Sequence, residues 1–117
     1  MFREFIKTRL IDISCIAEYV LVHLHTTSLH VIDDFLKITG IKAFELDIDE
    51  GGRKINSYID EIKKIQYADK NIIIKGRFDI DDLKIILKKF DRRGLCLMPV
   101  VTTKKEIEEI CSILGYK

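Results

Sequence analysis

His23 and His25, separated by Leu24 in a β-prone run, are the sharpest chemical feature of the chain. On an extended strand, residues two apart point to the same side, about 7 Å apart at their Cα atoms. Two imidazoles so placed suit two positions around one zinc ion, with a carboxylate as a third ligand. Glu45 and Asp47 repeat the same alternation farther along the chain, so either can supply that carboxylate. The same residues also suit acid–base work, with His23 as the acid or base and Glu45 or Asp47 orienting it. A histidine hydrogen-bonded to a carboxylate for packing alone is the structural alternative. His30 falls in a loop or first helical turn and reads as exposed.

The elements that must position these residues follow from periodicity. Phe2, Phe5, Ile6, Leu10, Ile13 and Ile16 recur at helical spacing, which predicts a leading helix over Phe2–Glu18. Tyr19–His25 reads as the first strand. Leu29, Ile32, Phe35 and Leu36 line a short helix stopped by Gly40. Ile41–Ile48 is the second strand, with Phe44, Leu46 and Ile48 on one face and Glu45, Asp47 and Asp49 on the other. Ile55, Tyr58, Ile59, Ile62 and Ile65 define a third helix, and Asn71–Lys75 a third strand. Asp79 can cap a helix carrying Ile80, Leu83, Ile86, Leu87 and Phe90. Gly94–Val101 holds the fourth strand, and Thr103 to Glu106 forms a capping box ahead of the last helix.

Composition bounds what these elements can be. The chain has 117 residues, 47% of them apolar and 33% charged, enough to build a core and against disorder. Twenty basic and nineteen acidic side chains leave a net charge of +1, which gives no electrostatic footprint for nucleic acid. Cys15, Cys96 and Cys111 lie in apolar stretches without Cys-x-x-Cys spacing and read as buried free thiols of a reducing compartment. Arg3, Glu4, Lys7 and Arg9 break up the first ten residues, unlike a signal peptide, and no apolar run approaches a membrane span. A cytoplasmic protein is expected, with no membrane partner.

The order α-βα-βα-βα-βα implies a parallel sheet with right-handed crossovers. A parallel sheet covered by helices on both faces has strands that are apolar throughout. His23, His25, Glu45, Asp47 and Lys75 break that rule, and burying them unpaired would cost several kcal/mol each. A barrel wall accommodates them, since the C-terminal rim of its inner face is where (β/α)8 enzymes place their sites. Strand starts roughly 22 to 30 residues apart match one βα unit of such a barrel. The expected fold is α/β, half of a TIM-type barrel: a leading helix, then four βα units with parallel strands in order 1-2-3-4, as one (βα)4 domain over 1–117. Its open edges imply a homo-oligomer or a separate N-terminal half-barrel partner.

Several stretches carry a family resemblance: Met1–Phe5, Val22–His25, Ile32–Leu36, Gly40–Glu45 and Arg93–Leu97. Together they resemble the C-terminal half of the uroporphyrinogen decarboxylase superfamily, which includes cobalamin-dependent methyltransferases. The resemblance covers nearly the whole chain. It implies a truncated decarboxylase-like or corrinoid methyltransferase-like protein, active only after the barrel is completed, with a corrinoid protein as partner. In the methyltransferases a His-x-Cys and a later Cys hold zinc. His23 matches the first ligand, His25 stands where the Cys would be, and Val100 and Val101 lie where the later Cys would fall. The alternative is a non-catalytic α/β ligand-binding or interaction module.

Overall fold

The computed structural model describes residues 5–116, so the Phe2–Glu4 part of the expected leading helix lies outside the described residues. Helix α1 spans Lys7–Ser14 and is followed by strand β1, Val20–His25. A 3-10 turn over Thr26–Val31 leads into the short helix α2, Ile32–Leu36, and then β2, Ile41–Ile48. A second 3-10 turn, Ile55–Tyr58, opens α3, Ile59–Tyr67, which precedes β3, Asn71–Gly76. Helix α4, Ile80–Lys89, strand β4, Leu95–Pro99, and helix α5, Lys104–Leu114, complete the order. The last strand ends at Pro99, before the expected Val101; proline has no N–H to continue a ladder.

All four strands are parallel, in the order β1-β2-β3-β4. This is the expected order, and it excludes a flavodoxin-like sheet. The sheet is open, with β1 and β4 as its edges. Register places the side chains in ranks across it. One set runs Val22, Phe44, Ile72, Leu95, then Leu24, Leu46, Ile74, Leu97. Phe44, Leu46, Ile72 and Ile74 are wholly buried among Phe35, Ile62, Ile65 and Ile86 of the helices. Each such burial contributes about 1.5–3 kcal/mol, and Phe35 meets Phe44 edge to face at 6.3 Å.

The alternate set runs Leu21, Ala43, Asn71, then His23, Glu45, Ile73, Cys96, then His25, Asp47, Lys75, Met98. None of these eleven residues is buried. One face of the sheet is therefore dressed by helices and the other is bare. Burial also falls towards the edges, since β4 has no buried residue. The flanking helices share that fate. Phe5, Ile13 and Ile16 of the expected leading stripe are exposed, Ile16 by 82%, and α5 buries none of its residues completely.

The cysteine expectation is corrected by the same geometry. Cys96 lies in the bare set of ranks and is exposed, Cys15 is exposed at the end of α1, and Cys111 is half-buried on the thinly covered α5. Gly76 closes β3 at φ 143°, where a Cβ would sit 2.8 Å from the Ile48 carbonyl oxygen, so the strand end can leave the sheet there only without a side chain.

Both expected caps form. Asp79 accepts from the Asp82 N–H at 2.8 Å, and Thr103 from the Glu106 N–H at 3.2 Å. The Glu106 carboxylate accepts from the backbone N–H groups of Thr102 and Thr103 at 2.7 and 3.0 Å and pairs with Arg77 at 3.1 Å. The backbone donors, Thr102 first, hold it at about 2, below its ordinary 4.5. A lowered folded-state value means stability present in full above about 4.5 and lost as pH falls towards about 2. In a circular-dichroism acid titration, Glu106→Gln is expected to start with a weaker α5 and to lose less helix across that window. Identical curves for the two proteins would show that the cap does not control α5.

Candidate functional site

Chain direction brings all C-terminal strand ends to one rim, and the alternation of β1 and β2 puts their polar side chains on the bare face there. His23 and Glu45 are register partners, as are His25 and Asp47, with Lys75 next to Asp47 on β3. Neighbouring strands are about 4.8 Å apart, so these side chains converge.

The structure brings the expected residues together, as far as reading them on one surface required. His23 Nδ1 lies 3.2 Å from Glu45 Oε1, and its Nε2 lies 3.4 Å from His25 Nε2. The two rings meet edge to face, their centroids 5.1 Å apart. One ligand atom each from His23, His25 and Asp47 lies within 4.8 Å of the other two. Lys75 Nζ stands 3.9 Å from Glu45 and 3.8 Å from Asp47, bridging the two acids from the third strand.

Asp49, which shares a face with Glu45 and Asp47 by alternation but has no expected role, joins the cluster. Its carboxylate sits 2.7 Å from His25 Nδ1 and accepts from the Thr26 hydroxyl at 3.1 Å. The hydrogen bond to His25 is the main cause that lowers its pKa. Its parity with Glu45 and Asp47 was the available sign. What hid it was the loop geometry beyond β2, which turns Asp49 back over β1. Arg77 takes no part in the cluster, being turned towards Glu106 and Glu50. His30 is exposed and donates from Nδ1 to the Thr27 carbonyl at 3.0 Å, outside the cluster.

The cluster is laid out on an open wall. His23 and His25 side chains are 44% and 53% exposed, with Glu45 at 22%. A hollow of about 320 Å³ borders it on the rim, lined by Asp49, Gly52, Lys54, Arg77 and Phe78 among others. A larger cleft of about 480 Å³, lined by Lys63, Tyr67, Lys70, Asn71 and Arg93 among others, sits at the opposite end of the strands, away from every residue of the cluster. The wall therefore offers an ion or a small polar group a point of attachment, and encloses neither.

No protein-family model matches the chain, and neither does any curated protein or solved structure. Among the described residues, no helix is long and apolar enough to cross a membrane.

A packing role for His23 makes a measurable demand. Exposed pairs of this kind contribute about 0–1 kcal/mol. His23→Ala is expected to shift the denaturation midpoint by an amount equivalent to no more than about 1 kcal/mol. Ile74→Ala, on the dressed face of the same sheet, is expected to cost about 2–5 kcal/mol. A large loss for His23→Ala in urea unfolding would return the histidine to a structural role.

Proposed function

We propose that this chain is a half-barrel whose bare face is the inner wall of a TIM-type barrel, and that the His23, Glu45 and Asp47 cluster becomes an enclosed site when four further βα units complete it. The observation that carries this reading is the one-sided sheet with its chemistry at the C-terminal rim of the bare face. In a (β/α)8 barrel the helices lie outside, and the site lies inside at that rim.

Strand arithmetic favours a second copy as the completing half, ahead of a separate N-terminal half-barrel. Four strands from each of two copies make eight, and β4 of one copy can extend β1 of the other in parallel on both sides. Apolar groups lie exposed at both seams: Tyr19 and Leu21 by β1, Met98 and Val100 by β4. Edge strands left with unpaired N–H and C=O groups are the usual place for such pairing.

The residues quoted for the family resemblance support a decarboxylase-like or corrinoid methyltransferase-like chemistry for the completed barrel, with a corrinoid protein as the methyl-carrying partner. The methyltransferase variant of that reading is altered here, because His25 stands in place of the thiolate. A metal in this barrel would be held by nitrogen and oxygen.

Light scattering on the purified chain tests the reading. A particle of twice the 13.6 kDa chain mass is expected at micromolar concentration. Leu21→Asp, on the bare face beside the β1 seam, is expected to return it to one chain mass with helix content unchanged. A stable wild-type monomer would overturn completion by a second copy and leave a non-catalytic binding module as the better account.

A further inference from the structure

From the geometry of the two imidazoles we infer that the wall holds a divalent transition-metal ion, zinc by preference, on His23 Nε2, His25 Nε2 and one oxygen of Asp47. This goes beyond the barrel reading, because all three ligands come from one chain and need no partner.

Three observations carry it. The first is the tautomer. Both Nδ1 atoms are committed to carboxylates, His23 to Glu45 at 3.2 Å and His25 to Asp49 at 2.7 Å. A carboxylate oxygen can only accept, so each Nδ1 carries its proton. In the neutral rings both Nε2 atoms are then lone-pair donors, 3.4 Å apart. Two lone pairs at that distance repel unless a cation lies between them.

The second is the distance itself. Zinc binds imidazole nitrogen at about 2.0–2.1 Å, and two such bonds at the tetrahedral angle put the nitrogens about 3.4 Å apart. The separation in the structure is that of two ligands on one tetrahedral ion. Asp47 has its ligand oxygen within 4.8 Å of both partners, near enough to close on the ion by turning its side chain. A proton shared between the rings would hold the two nitrogens and leave Asp47 to Lys75 alone.

The third is charge. Glu45, Asp47 and Asp49 face a single ammonium, that of Lys75, which lies against the first two. The wall is two negative charges in excess, the amount one divalent ion neutralises. Glu45 and Asp49 would then play the part of outer carboxylates that fix ring orientation and raise ligand basicity. Three protein ligands leave one tetrahedral position open. That is the pattern of a catalytic zinc site, where the fourth position takes water or a substrate atom, and not of a closed structural one.

The test uses the full chain, stripped with chelator and titrated with Zn2+ by calorimetry and with Co2+ by visible absorption. One ion per chain and the intense absorption of tetrahedral cobalt are expected. His25→Ala and Asp47→Asn are each expected to weaken Zn2+ binding about 100-fold or more, and Glu45→Gln about tenfold, as for an outer partner. His30→Ala, outside the cluster, is expected to change nothing. Absent binding, binding that survives both His25→Ala and Asp47→Asn, or the weak absorption of octahedral cobalt would overturn the assignment. Mass measured on the same samples separates this inference from the barrel reading: a monomer that binds the ion defeats only completion by a second copy, and a dimer that does not bind it defeats only the metal site.

Discussion

Consecutive parallel strands that stay neighbours, joined by crossovers of one hand, carry every intervening helix to the same side of a sheet. That constraint governs this molecule. Sheets that bury both faces reverse their strand order partway, so that later helices land on the other side. Here the order runs β1-β2-β3-β4 without reversal. The helices accumulate over Phe44, Leu46, Ile72 and Ile74, and none of the described helices covers the ranks of His23 and His25.

The dressed face supplies the stability, and this frees the bare one. Burying Ile, Leu and Phe against α2, α3 and α4 contributes several times more than any contact on the wall, where the ion pairs are partly hydrated. Glu45, Asp47 and Lys75 occupy the two central strands, whose backbones are held most firmly by pairing on both sides. The exposed apolar groups of the bare set, Leu21 and Met98, fall on the edge strands, while the half-buried Ala43 and Ile73 lie on the central strands and His23 and His25 on the β1 edge. The acids and the ammonium of the wall thus stand on the firmly held middle of the sheet, and its most exposed apolar side chains stand where another sheet edge could meet them.

Much of this was legible in the residues because a strand has a period of two. The alternation Phe44, Glu45, Leu46, Asp47 names both faces of β2, and the His-x-His spacing names the same face of β1. The capping pairs Asp79–Asp82 and Thr103–Glu106 were readable for a similarly local reason. What could not be read depends on long-range placement. The apolar stripe of α1 looks identical whether a neighbour covers it or not, so Phe5, Ile13 and Ile16 read as core and lie exposed. Cys96 read as buried because Leu95 and Leu97 flank it, yet period two puts it on the bare face for the very reason that they are on the dressed one. Asp49 lies past the strand end, where alternation no longer governs direction.

The contact between the histidines follows neither from period two nor from strand spacing. Side chains two apart on a strand start about 7 Å from each other and stand roughly parallel, which keeps their tips separate. The Nε2 atoms nonetheless meet at 3.4 Å. The agents of that convergence are the acids behind the rings. Glu45, on the adjacent strand, holds the Nδ1 edge of His23, while Asp49, past the end of that strand and tied down by Thr26, holds the Nδ1 edge of His25. Each imidazole is turned about its own Cβ by a carboxylate, and the free edges are turned towards each other. The outer acids thus set the ring geometry without an ion, and Asp47, bonded to neither ring and paired with Lys75 at 3.8 Å, has a carboxylate oxygen within 4.8 Å of a nitrogen of each ring.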